Sequence, residues 1–334
     1  MLILIGCHSD PISTTGETQP TLVGGTITSD TTWRAKDGPY HIIENIVVPD
    51  SVWWQVEAGT EIIVAWNQTI EVFGNTRFQG DYKTRISVWS EGGVWQGFRF
   101  TGEHDESSFL NHIDISNPVI AVEATDSAHV SLHDSRILSC DSIGVRVNSG
   151  AMATVWSCEF TNDRTLNLLN PVAISSAFGS HAWVYNTQIN GFHHGIRIQG
   201  WGYPISLESN QITACDIGII SDSQDSTEII DNQFLGCKTG ILITQGSPTL
   251  LYNTFEKQGE CVRVEGLCQP EAHWNSFADP DRWAWVHYSP YDVDATNNWW
   301  GTADPDSIDQ LIYDHNDDPQ AGYINYEPFL TSAP

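Results

Sequence analysis

The chain has 334 residues, 40% of them hydrophobic, which is enough for a continuous core and excludes disorder as the default state. Its 42 acidic residues against 14 Lys and Arg give a formal net charge of −28, a surface that repels phosphate backbones and disfavours nucleic acid as a partner. The same field disfavours anionic polysaccharides unless cations intervene.

The chain opens on Met-Leu-Ile-Leu-Ile-Gly-Cys. Leu4, Ile5, Gly6 and Cys7 are similar to a bacterial lipobox with Cys7 as the lipid-attachment residue. The charged part and most of the apolar part of such a signal are missing, so residues 1–7 read as a truncated signal remnant. The plain alternative is a short apolar start with a chance cysteine. Residues 8–21, rich in Ser, Thr, Pro, Gly and Asp, read as a flexible tether. No later segment is apolar over a length that spans a bilayer, so the expected membrane contact is the lipid anchor alone. Six cysteines remain, an even number that fits an oxidising compartment.

Self-similarity organises the rest. A large apolar residue recurs at Ile115, Ile137, Phe160, Ile189, Ile212, Phe234, Phe255 and Phe277, with spacings of 22, 23, 29, 23, 22, 21 and 22. The long interval holds an insertion at 164–170, a loop on one face. Two residues before the anchor stand Asn210, Asn232, Asn253 and Asn275, and about six after it comes a glycine followed by alternating apolar residues, as in Gly195, Ile196, Arg197 and Ile198. Strands of three to five residues with period-two alternation exclude a helical repeat. The predicted fold is all-β: a single-stranded parallel β-helix of about 22 residues per coil over residues 22–334. Such a stack needs its ends covered, and the C-terminal cap is placed at about 297–334. There Asp304 and Pro305 start a short helix with Ile308, Leu311 and Ile312 on one face.

These features resemble the right-handed parallel β-helix repeat family of secreted and surface proteins, within the pectin-lyase-like superfamily. The opening segment from Gly24 to Ile62, the rung Val-Trp-Gln-Gly-Phe-Arg-Phe at 94–100 and the ending Ala-Thr-Asn-Asn-Trp-Trp-Gly from residue 295 are similar to that family's first coils, rungs and close. The resemblance implies a bacterial envelope or cell-surface location, lipid-anchored or periplasmic. His193, His194 and Gly195 resemble the histidine motif of polygalacturonases, but the Asn-Thr-Asp, Asp-Asp and Arg-Ile-Lys segments of that family are missing, and with them the paired carboxylates. The Trp-apolar-Asp-His segment of pectate lyases is missing too.

Stacked coils turn each register position into a column with steps of about 4.8 Å. The asparagines read as a hydrogen-bonded turn ladder. Cys140, Cys215 and Cys237 share a register, with stacked thiols preferred over a disulfide, whereas Cys261 and Cys268 are placed to bridge around a turn. The outward column Arg99, Glu123, Arg146, Ala173, Arg197, Ile220, Leu242 and Arg263 begins as an ion-pair ladder of alternating sign, which makes Arg197 a wall residue. Asp314, His315, Asn316, Asp317 and Asp318 depart from a Ca²⁺-loop spacing and read as a solvated loop, and no histidine spacing forms a zinc pattern. No metal or cofactor is expected.

A second outward column, four before the anchor, runs His133, Trp156, Tyr185, Glu208, Ile230, Leu251 and His273. Fourteen tryptophans exceed what Val and Ile columns need, and aromatic rings in a row make a platform for sugar rings or a partner protein. The competing expectation is that the 164–170 insertion covers them. The expected function is an envelope scaffold that binds glycan or an envelope protein through His133, Trp156, Tyr185 and Glu208. The alternative is a polysaccharide lyase or glycoside hydrolase, which would need a groove where two carboxylates, or an arginine and a carboxylate, converge.

Overall fold

The computed structural model describes residues 19–102, 108–163, 170–177, 179–200, 205–224 and 227–334. Cys7, most of the tether and most of the 164–170 insertion lie outside the described residues. The chain winds as a parallel β-helix with three strands per coil. In one coil these are His129–His133, Arg136–Leu138 and Ile143–Val147. The first strands of successive coils form a 13-stranded parallel sheet from Thr31–Trp33 to Ile324–Asn325. The second and third strands form two further columns, joined at the N-terminal end by Tyr40–Val48, which pairs with both Glu61–Val64 and Thr69–Val72.

The corners are set by left-handed residues. From His112 to Asn297 one residue per coil between first and second strands takes positive φ, including Asp134, Ser157, Asn186, Ser209 and Asp231. This rotates the chain without adding length, and short polar side chains tolerate it best.

The anchor residues stack in register from Ile62 and Val88 through Ile115 to Phe277, all buried. Phe234 and Phe255 lie parallel with centroids 4.8 Å apart, and Phe255 and Phe277 follow at 5.3 Å. Room for the rings comes from the glycine-led strand: a Cβ on Gly240 would sit 2.8 Å from the Phe255 ring and 2.6 Å from the Cys261 carbonyl oxygen. Gly97 of the 94–100 rung has φ +101°, and a Cβ there would fall 1.5 Å from the Ile120 carbonyl oxygen, so no other residue fits.

The asparagine column is buried and fully paired. Asn232 Oδ1 accepts from the Asn210 backbone N–H and from Asn210 Nδ2, both at 3.0 Å, while Asn232 Nδ2 donates to the Leu207 carbonyl at 2.9 Å. Asn253 and Asn275 repeat the pattern, and Asn298 extends it by one coil.

Several expectations are corrected. Ser175, not Ala173, stands in the arginine column, between Arg146 and Arg197, because Ala173 takes the place in its strand that Gly144 and Gly195 take in the neighbouring coils. Arg99 and Arg146 do flank Glu123, at 3.7 and 3.3 Å, but Arg197 lies between Ser175 and Ile220. It has no ion pair among the described residues. Cys261 and Cys268 are free and buried: Cys261 occupies the glycine column after Gly240, whereas the Cys268 thiol donates to the Glu265 carbonyl at 3.0 Å in a turn. Cys215 and Cys237 are free stacked thiols, Cys158 is also free, and Cys140 is buried. Burial pushes the Cys158 thiol up to about 12 and the Cys268 thiol up to about 11.

Part of the tryptophan excess is a core feature. Trp33, Trp54, Trp95, Trp285 and Trp300 are buried, and Trp33, Trp54, Phe78 and Phe98 form an edge-to-face chain through the first coils. The C-terminal helix is only Pro305–Asp309. Ile308 is its one buried residue, while Leu311 lies beyond it and Ile312 begins a strand that pairs with Trp285. The acidic run is not freely solvated: Asp314 is buried, and its carboxylate accepts from the backbone N–H groups of Asn316 and Ile324 at 2.9 and 3.0 Å.

Candidate ligand-binding surface

Strand alternation fixes which residues face out. Leu132, Val155, Val184 and Leu207 fill the core under the first sheet, so the residue after each points outward. His133, Trp156, Tyr185, Glu208, Ile230, Leu251 and His273 therefore stand in one register. Rings meet along the N-terminal part of this column. Phe109 contacts His133 edge-on at 5.1 Å, and His133 contacts Trp156 edge-on at 5.3 Å. Trp156 is 52% exposed, Tyr185 and His133 are half-buried, and Glu208 is exposed. Burial holds the His133 imidazole below its ordinary value against the opposing pull of Asp134, so it is neutral at neutral pH.

Beside this column runs a groove along the corner between first and second sheets. One stretch, of about 300 Å³, includes Arg85, His112, Asp134, Arg136, Glu159 and Gln188; the next, of about 320 Å³, includes Asn186, Ser209, Gln211, Asp231 and Gln233. The two share Asn186 and Gln188. One wall is the left-handed corner column and the other is the strand column Glu159, Gln188, Gln211 and Gln233. The C-terminal stretch is amide and hydroxyl in character. Asn186 Nδ2 donates to Ser157 Oγ at 2.9 Å, and Ser209 Oγ donates to the Asp231 carboxylate at 2.8 Å. Reading columns one at a time misses this groove, because its two walls are different columns brought together by the turn.

The N-terminal stretch is charged, with arginine and carboxylate converging as an enzyme would require. Arg85 Nε donates to Asp114 at 2.6 Å and Arg136 Nε donates to the same oxygen at 2.8 Å. A second Arg136 nitrogen pairs with the other Asp114 oxygen. Burial alone would raise the Asp114 carboxyl, but the two guanidiniums outweigh it and hold it below the usual range. Arg136, bonded to Asp114, is held more firmly protonated than usual. A base needs the opposite shift, so these charges are committed to one another and cross-link three coils.

The stretch His193, His194, Gly195, Ile196 and Arg197 belongs to another face. His193 Nδ1 pairs with Asp216, which also binds Lys238. Burial, with His193 and Arg197 nearby, pushes the His194 imidazole down to about 4. Its Nδ1 and the Arg197 Nε are buried and have no hydrogen-bond partner among the described residues. Among the described residues His193 meets a single carboxylate, that of Asp216, not the acid and base pair of a glycoside hydrolase. Among the described residues no three His, Cys, Asp or Glu side chains converge as metal ligands, and no helix is long and apolar enough to cross a membrane.

A family model described as a right-handed beta helix region matches residues 120–277, the coils that carry the asparagine ladder, most of the anchor column and the groove's amide stretch. No curated protein and no solved structure matches the chain. The matched region and the three parallel strand columns through it agree: the chain is a right-handed parallel β-helix protein.

Proposed function

We propose that this β-helix is a cell-envelope scaffold that binds a neutral glycan along its first sheet. The observation that carries the reading is the exposed Trp156 in register with Tyr185 and next to the amide-lined groove. Aromatic faces bind the apolar face of a pyranose, amides and hydroxyls take its hydroxyl groups, and the rise of a sugar in an extended chain is close to the rise of a coil. A net charge of −28 selects against acidic glycans. The test is a glycan array followed by calorimetry on the best neutral ligand. Trp156→Ala is expected to weaken binding by about 1 to 3 kcal/mol while leaving the melting temperature unchanged. Unaltered affinity, or no neutral glycan bound by the parent, overturns the reading.

In the same reading Cys7 anchors the scaffold. Intact-mass analysis of protein extracted from its native membrane is expected to show diacylglycerol on Cys7. A mature chain lacking lipid there removes the anchor from the proposal.

A further inference from the structure

The groove's left-handed corner column changes character at its C-terminal end. After Ser157, Asn186, Ser209 and Asp231 come Tyr252 and Trp274, with φ of 57° and 56°. Bulky rings are poor choices for this conformation, which Asn or Gly adopts at least cost, and Asn297 takes the next corner. The rings do not enter the core in return: Tyr252 is 49% and Trp274 39% exposed. They stack on each other with centroids 5.4 Å apart and planes 12° from parallel. Trp274 thus covers one face of Tyr252. The corner one coil before Tyr252 is Asp231, which lines the groove together with Gln233.

We propose that Tyr252 and Trp274 form a second sugar-stacking subsite, so that the protein binds an extended neutral glycan along the corner groove rather than a short one; this rests on the reading of Trp156 above. A ring face with a carboxylate and an amide beside it supplies both contacts a neutral pyranose needs, stacking for its C–H face and acceptors for its hydroxyls. From Trp156 to Tyr252 is four coil steps, about 19 Å. The groove between them offers Asn186, Gln188, Ser209 and Gln211 to the sugars in the middle.

The test titrates the full chain with neutral cello-, manno- and xylo-oligosaccharides from disaccharide to hexasaccharide. The parent's affinity for the preferred series is expected to rise with length until the chain reaches Tyr252. Tyr252→Asn and Trp274→Asn, substitutions the backbone favours, are expected to retain the parent's melting temperature. Each should weaken the longest ligand roughly tenfold and leave the disaccharide unchanged. If these variants bind long ligands like the parent while Trp156→Ala weakens them, the second subsite is wrong and the first reading stands. If they weaken binding and Trp156→Ala does not, the subsite stands and the Trp156 reading falls. A parent whose affinity does not grow with length overturns the subsite, and a parent that binds none of these sugars overturns both.

Discussion

Asn232→Ala is expected to destabilise the solenoid by about 3 to 5 kcal/mol, although it removes only a small amide. Asn232 is fully buried, and its Oδ1 is the acceptor for both the backbone N–H and the side-chain amide of Asn210. Its Nδ2 is a donor to the carbonyls of Leu207 and Ile230. Deleting it orphans donors on the preceding coil in a place water does not reach, and each such group costs about 1 to 3 kcal/mol. In a solenoid, stability is close to a sum over neighbouring coils, so a break in mid-ladder weakens the interface that couples both halves. Denaturant unfolding followed by far-ultraviolet circular dichroism measures the loss. A shift below about 1 kcal/mol would show that the ladder is no more than a surface-type contact and that the coils are held by the apolar columns alone.

The division between what the sequence reveals and what it conceals follows the physics of the stack. Columns related by the repeat period are readable, because identical surroundings on successive coils select identical residue types. The anchor series Ile115 to Phe277 and the series Asn210 to Asn275 pair residue for residue in space. Position across an insertion is not readable. Ser175 and Ala173 are both small, and only strand pairing decides that Ser175 follows Arg146. Separation along the chain misleads for Cys261 and Cys268, which are seven residues apart on different parts of a coil, one in a strand and one in a turn.

The binding surface divides in the same way. Trp156 and Tyr185 form one column and could be found by counting back from the anchor, but the groove joins two columns across a left-handed turn. The pair Tyr252 and Trp274 carried a signal in their spacing of 22 residues. It is hidden because aromatic residues are not expected at a corner that favours Asn, Asp, Ser and Gly. The arginine column shows the limit of reading charge from pattern: Arg99, Glu123 and Arg146 pair as their signs suggest, whereas Arg197, in the same column, meets only Ser175 and Ile220.

Phe255→Ala is expected to cost about 3 to 5 kcal/mol, the range for a deleted core ring. Phe255 is fully buried, with Phe234 stacked on one side and Phe277 on the other. Neighbouring coils cannot close the void, since their separation is fixed by backbone pairing on all three faces, and a site that cannot collapse loses the most. A second substitution separates this cause from a general loss of hydrophobicity. Gly240→Ala in the parent forces its Cβ against both the Phe255 ring and the Cys261 carbonyl oxygen; in Phe255→Ala only the carbonyl contact remains. The two losses should therefore be less than additive, by about 0.5 to 3 kcal/mol, when denaturant unfolding of the single and double variants is compared. Strict additivity would mean that the ring and the glycine do not share the space assigned to them, and that the glycine is required by the approach of the next coil's backbone alone.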